Sequence, residues 1–218
     1  METKIIKDNI FGIDLQFKDI LYSRTIPYVF KEFKKDRYGL EQIEISPNDT
    51  IIDVGANVGM FSIYAKKKFG CRVISFEPVE ELFKLFKENI LLNNLELDDF
   101  ELHNRAVFDK DDVRMSISTA KKNTGCSSLF LREIGYSEGE ILMSSECTTE
   151  RLKKYIDDSC IYLKMDTEGS EHFIIPDIIN ELNTFKYFGA EFHDIGQEYL
   201  AEDIKKLVQT NFNGKLFL

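Results

Sequence analysis

The sequence predicts a doubly wound α/β fold with a mainly parallel sheet, an N-terminal hairpin and helix, and a β insertion between the third and fourth core strands. Three observations predict it. Short apolar runs alternate with stretches of helical period, the pattern that puts helices on both faces of a parallel sheet. The run Ile51-Ile52-Asp53-Val54 breaks into Gly55-Ala56-Asn57-Val58-Gly59, a glycine-bearing turn from a buried strand into a helix. A second run, Val73-Ile74-Ser75-Phe76, ends in the carboxylate of Glu77 followed by Pro78.

The elements follow in order. Residues 4–18 alternate loosely around Asp8-Asn9 and predict a hairpin turning there. Residues 27–35 read as a helix with Val29, Phe30 and Phe33 inward. Residues 50–54 form the first core strand. The helix over 58–68 turns Phe61, Tyr64 and Ala65 to the sheet and ends in Lys66, Lys67 and Lys68, cations suited to the negative end of a helix dipole. Residues 73–76 form the second strand. The helix over 80–92 opens on Glu80 and Glu81 behind Pro78 and buries Leu82, Phe83, Phe86 and Ile90. The third strand lies within 100–107. Strands of mixed polarity at 113–118 and 140–148 flank the polar turn Asn123-Thr124-Gly125-Cys126-Ser127-Ser128, and a helix over 149–156 follows. This insertion reads either as a wall of the substrate site or as a plain surface hairpin. Residues 160–165 and 186–192 give the fourth and fifth strands. A helix over 198–208 turns Leu200, Ile204 and Leu207 inward. Connections between the strands are expected to be right-handed.

At 218 residues the chain is expected to form one domain, with 1–45 as the hairpin and helix and 46–218 as the core. A net charge of -10 and a pI near 4.9 argue against nucleic acid or an anionic membrane as partner. No leader pattern and no apolar run of about 20 residues stands out, so neither a signal peptide nor a membrane span is expected. Cys71, Cys126, Cys147 and Cys160 show no paired spacing, which fits a reducing cytoplasm and no metal or disulfide framework. Oligomeric state is open.

Gly55 and Gly59 permit positive φ and a close approach of a ligand to the backbone; without a ligand they are a tight strand–helix turn. Glu77 can accept hydrogen bonds from both hydroxyls of a ribose, or simply precede a helix start. The dinucleotide spacing G-x-G-x-x-G is missing: Asn57 replaces the second glycine and the last glycine comes one residue early. Asp53, two residues before the first glycine, resembles instead the first motif of class I methyltransferases, which bind S-adenosylmethionine (SAM).

The successive segments Asp53-Val54-Gly55-Ala56-Asn57-Val58-Gly59, Phe76-Glu77-Pro78, Asn104-Arg105-Ala106-Val107, Leu163-Lys164-Met165-Asp166-Thr167-Glu168-Gly169-Ser170-Glu171 and Glu191-Phe192-His193 resemble the FkbM family of SAM-dependent O-methyltransferases. The likeness runs from about residue 5 to near residue 209. It implies a Rossmann-like class I sheet. It also implies a SAM site at Asp53, Gly55, Asn57, Gly59, Glu77, Pro78, Asn104, Ala106 and Asp166, and methylation of a hydroxyl on a small-molecule or sugar acceptor. Its shared motif falls on Lys164, Asp166, Glu168, Gly169, Glu171, Glu191 and His193. Two departures are visible. Pro176 stands where relatives are expected to carry a small residue. The chain also ends soon after Lys215-Leu216-Phe217-Leu218, where a C-terminal hairpin usually closes the sheet.

Lys164, Asp166, Glu168, Glu171, Glu191, His193 and Asp194 gather at two strand ends that the fold makes neighbours, the density expected of a reaction site. His193, with an ordinary pKa of about 6.5, is the expected general base. Asp166 is expected to orient it or the acceptor hydroxyl, and Glu168 to hold the acceptor or the methionine ammonium. The bland alternatives are a strand-end histidine bonded to backbone, a structural ion pair between Lys164 and Asp166, and a helix-start acid at Glu168. In a further reading Asp166, Glu168 and His193 bind a divalent ion, although no resident metal is expected. An NAD-dependent oxidoreductase and a non-catalytic SAM- or nucleoside-binding module are the competing functions.

Overall fold

The computed structural model describes residues 2–121, 123–131 and 133–218. In chain order it contains β1 (Thr3–Ile10), β2 (Ile13–Ile20), α1 (Thr25–Lys34), β3 (Thr50–Val54), α2 (Met60–Phe69), β4 (Arg72–Phe76) and α3 (Glu80–Leu92). Then come β5 (Phe100–His103), β6 (Ala106–Val107), β7 (Arg114–Ala120), β8 (Ser127–Ser128), β9 (Ile141–Glu150), β10 (Cys160–Met165), α4 (Glu171–Asp177), β11 (Tyr187–Ala190), α5 (Ala201–Asn211) and β12 (Lys215–Phe217).

Six strands form one parallel sheet in the order β12-β11-β10-β3-β4-β5. The chain winds outward from β3 to β5 on one side and from β10 to β12 on the other. The order therefore reverses between β3 and β10, and a crevice opens outside their carboxyl ends. Successive side chains of a strand point to opposite faces. Ile51 and Val73 accordingly join the core under the hairpin, α1, α2 and α3, whereas Ile52 and Ile74 join the core with Ile174, Ile178 and Val208 of the α4–α5 side. β3 and β10 are buried along their whole length, which explains their unbroken apolar runs.

Two buried asparagines of the α3 region dock the hairpin. Asn89 accepts from Lys18 N at 2.7 Å and donates to Lys18 O at 3.1 Å; Asn93 does the same for Gln16 N (3.1 Å) and Gln16 O (2.6 Å). Each side-chain amide thus stands in for a strand neighbour along β2.

Several expectations need correction. The hairpin turns at Phe11-Gly12, not Asp8-Asn9; both turn residues have positive φ, and Asn9 Oδ1 accepts the Gly12 amide. Phe83 and Leu207 are only half-buried and Leu200 is exposed; Leu85 and Val208 take the inward positions. The third strand ends at His103, and Ala106–Val107 leaves the main sheet to pair with β9. Residues 149–156 are not an α-helix: β9 runs on to Glu150, and a 3-10 turn spans Leu152–Tyr155. Pro176 sits near the end of the short α4, which begins at Glu171. β12 adds to β11 as a parallel edge strand, a segment to which the sequence reading assigned no strand. Among the described residues no helix is long and apolar enough to cross a membrane.

Candidate active site

The turn after β3 is built from positive-φ residues: Gly55 (83°), Asn57 (53°) and Gly59 (87°), the last capping α2. The amides of Gly55 and Ala56 donate to Phe76 O, so the turn leans on the end of β4. A Cβ on Gly55 would overlap the Asp166 carbonyl oxygen, and one on Gly59 would overlap the Phe86 ring. Protein atoms that crowd the turn by themselves require glycine at both positions, as the tight-turn reading of the sequence has it.

Glu77 closes one wall. It is nearly buried, and its two oxygens accept from Asn57 N (2.7 Å) and Val79 N (2.8 Å). Burial pushes its pKa up to about 7 even though those two amides favour the charged form. The Asn104 side chain donates to the carbonyls of Glu77 and Pro78, holding the chain there. Asn104 therefore acts on the backbone behind the wall. A cleft of about 480 Å³ opens against Gly55, Glu77, Pro78 and Ala106. Its opposite side comes from the insertion: Ile117, Gly125, Ser127 and Leu129. The insertion, which the sequence left as either a substrate wall or a plain surface hairpin, therefore lines the Glu77 cleft.

A second cleft of about 490 Å³ lies on the other side of the turn, between the N-terminal segment (Thr25, Phe33, Tyr38) and Phe61 of α2. The two clefts share Gly55, Asn57, Gly125 and Asp166. Sequence reasoning missed Thr25 and Tyr38, since neither carries a local motif and only the tertiary fold brings them to the crevice, whereas Gly125 lies in the polar turn of the insertion.

Asp53 does not face either cleft. It is fully buried beneath the turn, 3.1 Å from the Lys164 ammonium, and accepts the Ser62 hydroxyl at 2.6 Å. The structure gives this acid a structural part, neutralising a lysine on the next strand, where the sequence reading expected a cofactor contact. Lys164 also donates to Gly55 O at 2.8 Å. Burial opposes its charge, but Asp53 and Asp166 outweigh burial and hold the ammonium above its usual range. A lysine so engaged cannot accept a proton at neutral pH, so it drops out as a proton-transfer residue. Its partner is Asp53, not Asp166.

The end of β10 runs into a strained turn. Glu168 has φ 53° and Gly169 φ 117°. Glu171, fully buried, staples the turn by accepting from Thr167 N (2.8 Å), Thr167 Oγ1 (2.9 Å) and Gly169 N (2.8 Å). Ser128 Oγ of the insertion donates to Glu168 O at 2.5 Å. His193, after β11, lies between two carboxylates: Nδ1 is 3.4 Å from Glu171 and Nε2 3.5 Å from Glu168. Burial alone would lower its pKa, but Glu171, Glu168 and Asp166 push it up to about 10. Glu171 is correspondingly held below its usual range despite burial, and burial with the charge of Asp166 pushes Glu168 up to about 7. Flanked by these carboxylates, His193 is held toward its charged form, which weighs against its expected part as a neutral base.

Glu191 pairs with Arg37 at 3.1 Å; burial, then Asp166, raises its pKa. Asp194 accepts the Ala201 amide and starts α5, away from this cluster. Asp166, Glu191 and His193 each offer an atom within 4.8 Å of the others, so these three, with Glu191 in place of Glu168, have the spacing to hold a cation.

Comparison with known proteins adds a family. Residues 53–206 match the model of the methyltransferase FkbM domain. The chain is 32% identical over 69 residues to methyltransferase sdnD of Sordaria araneosa, covering 31% of this chain and 26% of that protein. It is 36% identical over 64 residues to the 31-O-demethyl-FK506 methyltransferase FkbM of Streptomyces tacrolimicus, covering 28% of this chain and 25% of that one. The crystal structure of methyltransferase FkbM from Methylobacillus flagellatus KT shares the fold with a TM-score of 0.51 at 13% identity, over 83% of this chain and 46% of that one. The chain thus spans at most about a quarter of these two curated relatives.

Proposed function

This chain belongs to the methyltransferase FkbM family, and from that membership we propose that it works as one domain, a SAM-dependent O-methyltransferase acting on a hydroxyl of a small-molecule or sugar acceptor. The observation that carries the reading is the pair of clefts meeting at Gly55, Asn57, Gly125 and Asp166, with Glu77 at one side. A ligand with a ribose at one end and an amino acid at the other suits that shape. Two details of the residues fit it. Each Glu77 oxygen has used one acceptor site on a backbone amide and keeps another for a ribose hydroxyl. Asn57 Oδ1 is buried at the junction with no hydrogen-bond partner among the described residues, an acceptor suited to an ammonium.

SAM supplies a methyl group already activated on a sulfonium. The protein's part is then to place the acceptor oxygen and take its proton. Placement can account for roughly 7–11 kcal/mol of barrier lowering in well-aligned systems. With His193 already charged, Asp166 and Glu168 are the carboxylates available to receive the proton. His193 serves as their fixed counter-charge, and Arg37 plays that part for Glu191.

Titration calorimetry with SAM, S-adenosylhomocysteine and NAD tests the cofactor; incubation with methyl-labelled SAM and a panel of hydroxylated acceptors tests the transfer. Binding of both adenosyl compounds and not NAD is the expected result. No heat with SAM at millimolar concentration would end the reading.

A further inference from the structure

We infer that the Asn123–Gly125 turn is a clasp across the cofactor cleft, which opens to admit SAM and re-forms over it. The inference rests on the function proposed above. Asn57 Nδ2, on the cleft floor after β3, donates to Thr124 O at 2.7 Å, on the insertion that roofs the cleft. Asn57 and Gly125 each line both clefts, so this bond stands where the clefts meet. A ligand touching Glu77 at one side and the Asp166 region at the other must lie beneath this bond.

The turn is held by interactions of a particular kind. Thr124 Oγ1 lies 2.9 Å from Ser23 Oγ and 3.0 Å from Thr25 Oγ1. Thr25 Oγ1 donates to Asn123 Oδ1 at 2.8 Å and accepts the Gly125 amide at 3.0 Å. Ser23 and Thr124 are fully buried and Thr25 nearly so. Buried hydroxyls need partners, and this set supplies them only in the closed position. All of the groups are neutral, so each bond is modest and reversible. The flanking chain is anchored differently. Ile117 is buried in the core, and the β7–β8 pairing is two rungs long, Thr119 with Ser127 and Ser118 with Ser128. The insertion is therefore fixed at its base and latched by exchangeable bonds at its turn, the arrangement of a lid. Opening therefore breaks the bonds of Asn57 Nδ2, Thr25 Oγ1 and the Gly125 amide together.

The competing account is a permanent strap between the insertion and the N-terminal segment. A cross-link separates the two. An ideal Cβ on Gly125 would lie 3.3 Å from Thr25 Cγ2, so a Thr25→Cys/Gly125→Cys pair, made in a Cys126→Ser background, can be oxidised to lock the turn closed. Surface plasmon resonance with SAM then reads association and dissociation. The oxidised protein is expected to bind SAM at least about tenfold more slowly, with recovery on reduction. Equal association in the two redox forms overturns the clasp. Should the cross-linked variant not fold, Thr124→Val serves instead. Association and dissociation are both expected to rise about threefold to tenfold, the weight of one or two neutral hydrogen bonds. Rates within about twofold of the parent overturn it. Failure of the unmodified protein to bind SAM would remove the proposed function, and the clasp with it; binding without any clasp effect removes the clasp alone.

Discussion

The Lys164 ammonium lies 3.1 Å from the Asp53 carboxylate, with both side chains shut off from solvent beneath the glycine turn. β3 and β10 are neighbours at the point where the sheet order reverses, and this pair joins their carboxyl ends. Removing one partner leaves a buried charge uncompensated, which costs more than the pair is worth. Lys164→Met is expected to destabilise the protein by about 3–5 kcal/mol in urea unfolding. Adding Asp53→Asn to it should recover a large part of that loss, because the orphaned charge is gone. A single Lys164→Met with unaltered stability would mean that the pair does not hold the floor of the site.

The same pair marks where sequence reading stops. The strands at 50–54 and 160–165 and the helix at 80–92 were legible because unbroken apolar runs and clean helical spacing leave little choice. Glu77 and the turn glycines were legible as a local pattern. The partner of Lys164 was not, because a side-chain pair across two strands depends on register, and Asp53 and Asp166 stood equally near in the pattern. The short 3-10 turn at Leu152–Tyr155 follows a strand longer than its apolar content suggests. Thr25, Thr124 and Asn57 form their network across separations of 67 to 99 residues, with no local signature at any of them.

His193 provides a pH prediction. With its folded pKa near 10, above the ordinary value of 6.5, the stabilisation it contributes is whole below about pH 6.5 and is lost as pH rises through about 10. Glu168, raised to about 7, also favours the protonated folded form, and its contribution weakens as pH rises from its ordinary 4.5 through about 7. In isotope-edited NMR one of the three histidines should stay charged beyond pH 8. Glu171→Gln should bring that midpoint down, since it removes the carboxylate at Nδ1. Three imidazoles all neutral by pH 8 would restore His193 as a candidate base.

Glu77 should matter to binding through its remaining acceptor sites. Glu77→Ala is expected to weaken SAM about tenfold to a hundredfold in calorimetry, the range for one or two hydrogen bonds to a charged group. Because Glu77 also organises Asn57 and Val79, a binding loss with the unfolding midpoint unchanged is the informative outcome. Unaltered affinity would place the ribose elsewhere.

Gly55→Ala should fail for a reason unrelated to any ligand. Its φ of 83° alone costs a residue with a Cβ roughly 1–2 kcal/mol. The new methyl would also overlap the Asp166 carbonyl, a backbone atom that cannot rotate aside. The variant is expected to lose SAM binding and thermal stability together. Full stability in Gly55→Ala would show that the ends of β3 and β10 can separate freely.

The last prediction concerns a metal. Asp166, Glu191 and His193 have a spacing a divalent ion could use, but two of the three already carry cationic or anionic partners. An ion there would have to compete with Arg37 for Glu191. It would also need a neutral imidazole nitrogen, whereas Glu168 and Glu171 on either side of His193 favour its charged form and oppose release of that proton. Magnesium prefers several oxygen ligands and keeps its waters, so a histidine and two carboxylates, one of them held by Arg37, suit it poorly. SAM affinity and methyl transfer are therefore expected to be unchanged after exhaustive chelation, and added magnesium to leave the unfolding midpoint where it was. A midpoint that climbs with added magnesium, and no longer does so in Glu191→Gln, would reverse the conclusion and make the cluster a metal centre.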